Sequence, residues 1–314
     1  MRGPQVIPLE AMPEQVRIYE VGARDGLQNE PTVVPVAVKA ELVRRLVGAG
    51  LRAVELTSFV HPGRVPQLAD AEELLGELGP LLVDPPPGLR APVLVPNLRG
   101  LDRALAAGVR EVAVFVSATE SFSQNNLGCS REQAMAMSQQ VCAAALEAGL
   151  VVRGYVSMCF GDPWEGAVPL APVVDTVGRL VDQGCAEVSL GDTIGVATVG
   201  HVVALLQAIA EAGVPRSRLA VHFHDTYGQA LANTVVALQQ GVMTVDASAG
   251  GLGGCPFAGS ATGNLATEDL VWALHGMGVS TGVDLAALVA TSTWLAAHLG
   301  RPSPSRVVRA LTDS

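Results

Sequence analysis

Lysine is nearly absent from this chain: 314 residues carry one, Lys39, against 19 arginines. Schiff-base chemistry requires a lysine amine desolvated in an active site. Lys39 lies instead in an apparent helix, residues 36–47, among surface-type neighbours. A lysine-dependent aldolase and a pyridoxal phosphate (PLP) enzyme are therefore not expected, and carbon–carbon chemistry here would have to be metal-assisted. Cysteine is also sparse. Cys129, Cys142, Cys159, Cys185 and Cys255 are odd in number, widely spaced and without a CxxC pair, which argues against a disulfide framework and a zinc ribbon. Only 16% of residues are charged while 49% are hydrophobic, the balance of a compact enzyme-like protein. No apolar run approaches the ~18 residues of a membrane span. Residues 1–15 show neither an apolar h-region nor an Arg/Ser-rich amphipathic pattern, so cytoplasmic residence is expected. A net charge of −10 disfavours nucleic acid or an anionic membrane surface as partner. An anionic small substrate would need a locally basic mouth.

A glycine precedes one β-branched run after another: Gly50 before Arg52–Leu56, Gly108 before Glu111–Val116, Gly149 before Leu150–Val152 and Gly184 before Glu187–Leu190. Gly213 then precedes Leu219–His222, and Gly241 precedes Val242–Asp246. Each glycine ends an Ala/Leu-rich helical segment, where the position after the last turn favours a left-handed residue. Adding strands at Val16–Val21 and Pro92–Val95 gives eight strands separated by helices, at spacings of roughly 30 to 45 residues, as βα repeats in a closed parallel barrel require. The expected fold is a (β/α)8 TIM barrel, one catalytic domain over residues 1–314, with extra helices appended from about Val283. A doubly wound sheet is the alternative, but no GxGxxG follows the first strand, so NAD is not an expected cofactor. Asp84–Gly88, rich in proline, reads as a surface loop.

His222-Phe223-His224 closes the seventh predicted strand. Side chains two apart on a strand share a face, so two imidazoles would project together. The bland alternative for an isolated His-x-His is a pair of hydrogen-bonded core histidines. The rest of the chain shifts that balance, because catalytic groups of such barrels sit at the carboxyl ends of strands. Arg24 and Asp25 follow strand one, Glu55 closes strand two, Asp192 follows strand six, and Cys255 and Asn264 lie after strand eight. With the histidines, five strands send polar groups to one rim. Asp25, His222, His224 and Asn264 form a mixed oxygen and nitrogen set suited to Mg²⁺ or Mn²⁺, with zinc still open. Arg24 would hold positive charge where negative charge develops, or would simply pair with Glu55 or Asp192. Residues 249–264 carry six glycines without periodicity and are expected to form a mobile lid bearing Cys255.

At these residues the chain resembles the 3-hydroxy-3-methylglutaryl-CoA lyases, from about Val16 to His275. The specific stretches are residues 20–30 (EVGARDGLQNE), Thr57–Val60 with Val65–Gln67, Ser189–Gly195 and His222–Gln229, together with Gly251–Phe257 and Gly263–Glu268. The resemblance implies Asp25, His222, His224 and Asn264 at a divalent metal, Arg24 and Glu55 completing an Asp-Arg-Glu constellation, and Cys255 as the lid cysteine. Gln28, Arg153 and Asp192 match substrate-binding or supporting positions. Two departures stand out: Asp162 where relatives often carry a cysteine, and Gln124-Asn125-Asn126 where some carry lysines near coenzyme A.

The implied reaction is cleavage of (S)-3-hydroxy-3-methylglutaryl-CoA to acetyl-CoA and acetoacetate. The metal would polarise the C3 hydroxyl, Arg24 would stabilise the departing enolate, and Cys255 would protonate it. Removal of the hydroxyl proton by Asp25, or by a water that Glu55 polarises, stays open. So does the acyl chain, since a longer 3-hydroxy-3-alkylglutaryl-CoA would use the same groups. A condensing synthase is disfavoured by the Cys255 loop, and a catalytically silent metal- or acyl-CoA-binding barrel by the presence of Arg24, Glu55 and Cys255. The expected partner is a small acyl-CoA, with neither nucleic acid nor membrane, and a homodimer stays open.

Overall fold

The six glycines that end predicted helices all take positive φ, from +76° to +103°, as left-handed helix termini require. At Gly50 the requirement is doubled, because a Cβ would also collide with the Gly282 carbonyl oxygen. Each such terminus turns the chain into a strand in this computed structural model, which describes residues 3–254 and 263–312. The strands are β1 (Arg17–Glu20), β2 (Ala53–Val54), β3 (Val93–Leu94), β4 (Glu111–Ser117), β5 (Val151–Ser157), β6 (Glu187–Asp192), β7 (Leu219–Phe223) and β8 (Thr244–Ala247).

All pairings are parallel, in the order β2-β1-β8-β7-β6-β5-β4-β3. The two ends of that order meet: Val54 N donates to Arg90 O at 3.0 Å, Leu56 N to Pro92 O at 2.9 Å and Phe59 N to Leu94 O at 2.8 Å. The eight-stranded sheet is thereby curled into a barrel, with no exposed sheet edge along this seam. β2 and β3 are two residues each, shorter than expected, and Pro92 and Pro96 flank β3 without donors to extend it.

The apolar packing has two parts. Outward-facing strand residues such as Val112, Val152, Val188 and Val221 join the helices in one large cluster. A second, small cluster holds Tyr19, Val21, Ala53, Leu94, Ala113 and Tyr155, and its strand positions alternate with the first, as the barrel interior demands. Charge completes that interior. Arg153, buried on β5, donates to Glu187 Oε2 at 2.9 Å and to Asp246 Oδ1 at 2.6 Å. Its guanidinium carbon lies 3.8 Å from the Tyr19 ring centroid.

Lys39 corrects a sequence expectation. It occupies the helix Val36–Gly48, yet its side chain is fully buried, with Nζ 2.8 Å from Asp70 Oδ2 and donating also to the Gln67 carbonyl. It is a structural cation between two helices rather than a surface residue. Helices at Leu285–Leu299 and Arg306–Thr312 follow the last strand-associated helix, Thr267–Gly276. The segment between those two helices braces the loop after β8 and the helix that follows it: Ser303 Oγ donates to Gly250 O at 3.2 Å, and Ser305 Oγ to Asp269 Oδ1 at 2.6 Å.

Candidate active site

β1 ends in a single π turn, Gly22–Gly26, closed by Gly26 N bonding to Val21 O at 3.1 Å. The turn is wedged against the loop after β8, since a Cβ on Gly26 would come within 2.6 Å of Ser248 Oγ. It presents Arg24 and Asp25 side by side at the rim. Arg24 Nε donates to Glu55 Oε2 and Arg24 Nη1 to Asp25 Oδ1, each at 2.7 Å. Of the two ion-pair partners considered for Arg24, the structure chooses Glu55, with Asp25 as a second. Tyr155 Oη donates to the same Glu55 oxygen at 3.2 Å.

Across the rim, His222 and His224 bring their ring centroids to 5.2 Å. One ligand atom from each of Asp25, His222 and His224 falls within 4.8 Å of the other two. Asn264 joins through the backbone: Leu265 N bonds to Phe223 O at 3.0 Å and Asp225 N to Gly263 O at 3.1 Å, which seats Asn264 antiparallel to His224. Its Nδ2 donates to Asp25 Oδ2 at 2.8 Å and Leu252 O at 2.9 Å. Two acceptors on one side fix the amide orientation, leaving Asn264 Oδ1 buried without a partner, as is His224 Nδ1. Buried orphans of this kind are costly, and two lone pairs beside an ionised carboxylate suit a divalent cation.

The electrostatics agree with that chemistry. Burial pushes the Asp25 carboxyl up, but Arg24 together with both histidines outweighs it and holds Asp25 at about 2. Burial pulls His224 down to about 4, with His222 adding to the effect, so its ring is a neutral ligand. Glu55 moves the other way, raised by burial against the pull of Arg24. Arg24 is raised, because Glu55 and Asp25 overcome its own desolvation.

The supporting positions fall into place around this set. Asp192, raised to about 6 by burial against its backbone hydrogen bonds, accepts from Val196 N at 2.9 Å and Ala197 N at 3.1 Å and so folds the loop after β6. Gln28 is half-buried just past the π turn. Arg153 sits deeper, in the charged interior beneath the rim. Asp162 accepts from Trp164 N at 2.7 Å and Thr119 Oγ1 at 2.6 Å, organising the loop after β5. Cys255 lies outside the described residues. The expectation of a lid from residue 249 onward is corrected at its root: Ala249–Gly251 is a buried 3₁₀ turn. Ala249 N donates to Glu20 Oε1 at 2.8 Å and Gly250 N to Glu268 Oε2 at 2.9 Å.

Sequence reasoning missed Asp246 on β8 and Asn29. Asp246 Oδ2 lies 3.4 Å from His222 Nδ1, and Asn29 Nδ2 donates to Gly254 O at 2.7 Å. The one signal the sequence offered for Asp246 was a carboxylate inside an apolar strand, and its register with His222 appears only in the fold.

Residues 15–295 match the family described as HMGL-like. The chain belongs to that family. It is 52% identical over 302 residues to the mitochondrial hydroxymethylglutaryl-CoA lyase of Arabidopsis thaliana, a match covering 96% of this chain and 63% of that longer protein. With the cytoplasmic 3-hydroxy-3-methylglutaryl-CoA lyase of Rattus norvegicus it shares 47% identity over 302 residues, covering 96% of this chain and 86% of the rat protein. Among solved structures, hydroxymethylglutaryl-CoA lyase from Pseudomonas aeruginosa superposes with a TM-score of 0.92 at 46% identity, covering 96% of this chain and 99% of that one. An HMG-CoA lyase from Acinetobacter baumannii, solved with coenzyme A and 3-methylmalate, gives a TM-score of 0.88 at 33% identity, with 97% of each chain covered. The Arabidopsis relative is named as mitochondrial and the rat relative as cytoplasmic. For this chain, no helix among the described residues is long and apolar enough to cross a membrane.

Proposed function

We propose that this chain is a divalent-metal-dependent lyase that cleaves (S)-3-hydroxy-3-methylglutaryl-CoA to acetyl-CoA and acetoacetate, acting as a single catalytic unit. The observation that carries the proposal is the convergence of Asp25, His222 and His224 within 4.8 Å, beside an Arg24 that is hydrogen-bonded to both Asp25 and Glu55. Family membership selects the reaction among those such a rim supports.

Asp25, His222, His224 and Asn264 would hold Mg²⁺ or Mn²⁺, which supplies Lewis-acid polarisation of the substrate's C3 hydroxyl. Asp25, ionised and held by Arg24 and Asn264, would take the hydroxyl proton, either directly or through a water that Glu55 polarises. Loss of that proton collapses the alkoxide to a ketone as C2–C3 breaks, and the electron pair moves into the thioester as an enolate. Arg24 is the cation at hand for that oxyanion, held by Glu55 so that it needs no reorganisation as charge appears. Cys255 is assigned delivery of a proton to the enolate carbon, which completes acetyl-CoA.

Acetyl-CoA release by the purified chain, measured before and after exhaustive chelation and again after adding Mg²⁺ or Mn²⁺, tests this. Turnover should vanish and return. Full activity in metal-stripped protein, or none with metal restored, would refute it.

A further inference from the structure

We propose that Asp246 is a positioning residue for the metal site, fixing His222 in the tautomer that carries its proton on Nδ1 and turns the Nε2 lone pair toward Asp25 and His224. The inference rests on those three residues holding a divalent ion. Asp246 is in direct register with His222 across the β7–β8 pair, and its Oδ2 is the oxygen 3.4 Å from His222 Nδ1. That nitrogen is buried and has no hydrogen-bond partner, so the carboxylate beside it decides which tautomer is favoured. A carboxylate accepts and cannot donate, which selects Nδ1–H.

The carboxylate itself cannot turn away. Arg153 Nη2 donates to Asp246 Oδ1 at 2.6 Å and Nη1 to Oδ2 at 3.2 Å, while Ser189 Oγ donates to Oδ2 at 2.8 Å. Arg153 is pinned in turn by Glu187 and by the Tyr19 ring. A fully buried ion pair with so many restraints does more than neutralise an arginine: it gives one histidine nitrogen a fixed acceptor, the arrangement that orients imidazole ligands and raises their basicity. Glu55 and Asp25, by contrast, take their hydrogen bonds from Arg24, Tyr155 and Asn264 and none from His222.

The test begins with the wild-type protein. Long-range ¹H–¹⁵N spectra of the full chain labelled with ¹⁵N-histidine, assigned with His222→Ala, should show His222 protonated on Nδ1. The opposite tautomer would overturn the proposal whatever any variant does. Asp246→Asn should then reverse the tautomer, because the amide oxygen will face Arg153 Nη2 and its NH₂ will donate to His222 Nδ1. Titration with Mn²⁺, followed by electron paramagnetic resonance, should show binding weakened about 10- to 100-fold in Asp246→Asn. In the His222→Ala background the same change should weaken binding by no more than about twofold. Equal losses in both backgrounds would make Asp246 a scaffold residue only and overturn its role. Should Asp246→Asn fail to fold, Ser189→Ala loosens the same carboxylate and enters the same cycle. Wild-type protein that binds no Mn²⁺ sinks the metal assignment itself, whereas Mn²⁺ binding with the wrong tautomer or additive losses sinks this inference alone.

Discussion

Arg24 is the residue whose removal most sharply separates chemistry from architecture. Arg24→Ala deletes two charge-assisted hydrogen bonds of 2.7 Å and leaves Glu55, whose side chain is 0% exposed, without its cation. By analogy with the loss of an oxyanion donor, kcat should fall about 10²- to 10³-fold, or ~3–4 kcal/mol of transition-state stabilisation. KM should change less, because the enolate charge that Arg24 meets exists only as the bond breaks. Breaking a buried pair also costs stability, by up to about 3–5 kcal/mol if the partner stays charged. Glu55 has an escape, since burial already raises its carboxyl and loss of Arg24 removes the main opposing influence. A carboxyl raised in the folded state contributes stability that is present below its unfolded pKa and is lost as pH rises through the folded value. The melting temperature of Arg24→Ala should therefore approach wild type near about pH 5 and fall behind it toward pH 8. Adding Glu55→Gln should recover stability at the higher pH without recovering kcat. Arg24→Lys should recover little, because one ammonium cannot span both carboxylates as the planar fork does. Steady-state kinetics of acetyl-CoA release and thermal melts across that pH range supply both readouts. A KM-only defect, or wild-type turnover by Arg24→Lys, would refute the reasoning.

Gly253 has φ +98°, and a Cβ there would lie 2.5 Å from Asn264 Nδ2 and 3.2 Å from Asp25 O. Gly253→Ala should weaken Mn²⁺ binding and lower kcat together, with left-handed strain of ~1–2 kcal/mol added to the clash, and unchanged metal affinity would place the loop elsewhere in solution. Glu20 and Glu268, raised by burial to about 7 and about 8, should make the protein lose stability progressively as pH rises from about 4.5 through 8. Glu268→Gln should flatten the upper part of that loss in thermal melts, and an unaltered slope would show that Glu268 is not its source. Cys255 should be alkylated by a reactive substrate analogue ahead of half-buried Cys129 and buried Cys142, Cys159 and Cys185. Cys255→Ser should bind Mn²⁺ normally yet turn over far more slowly, and a wild-type kcat would send the search for the proton donor elsewhere.

How much of this was legible in the sequence depends on the range over which each feature is encoded. Helix ends are local, and the six glycines that announced them all adopt positive φ, so the order of strands followed without any tertiary information. His222 lies on β7 and His224 one residue past its end, where the extended chain continues, and Arg24 and Asp25 are adjacent after another strand, so their side chains were placed at the rim by periodicity and fold class alone. β2 and β3 were overestimated because ladder length depends on neighbours, and prolines at residues 92 and 96 end the pairing that β-branched composition suggests.

What the sequence hid were charges whose partners are distant along the chain. Lys39 looked like a surface residue because its neighbours do, and its burial is intelligible only once Asp70, on the far side of β2, comes to 2.8 Å. Asp246 is the same case with a larger consequence. Its contacts are Arg153, Ser189 and His222, one from each of three other strands, so no window of sequence contains two of them. A barrel interior is assembled from alternate residues of every strand. Its polar layer is therefore written at wide and irregular intervals, while the rim motifs above it are compact. Recognition by motif finds the rim groups assigned to substrate and metal, and it passes over Asp246, the carboxylate beneath them that faces His222.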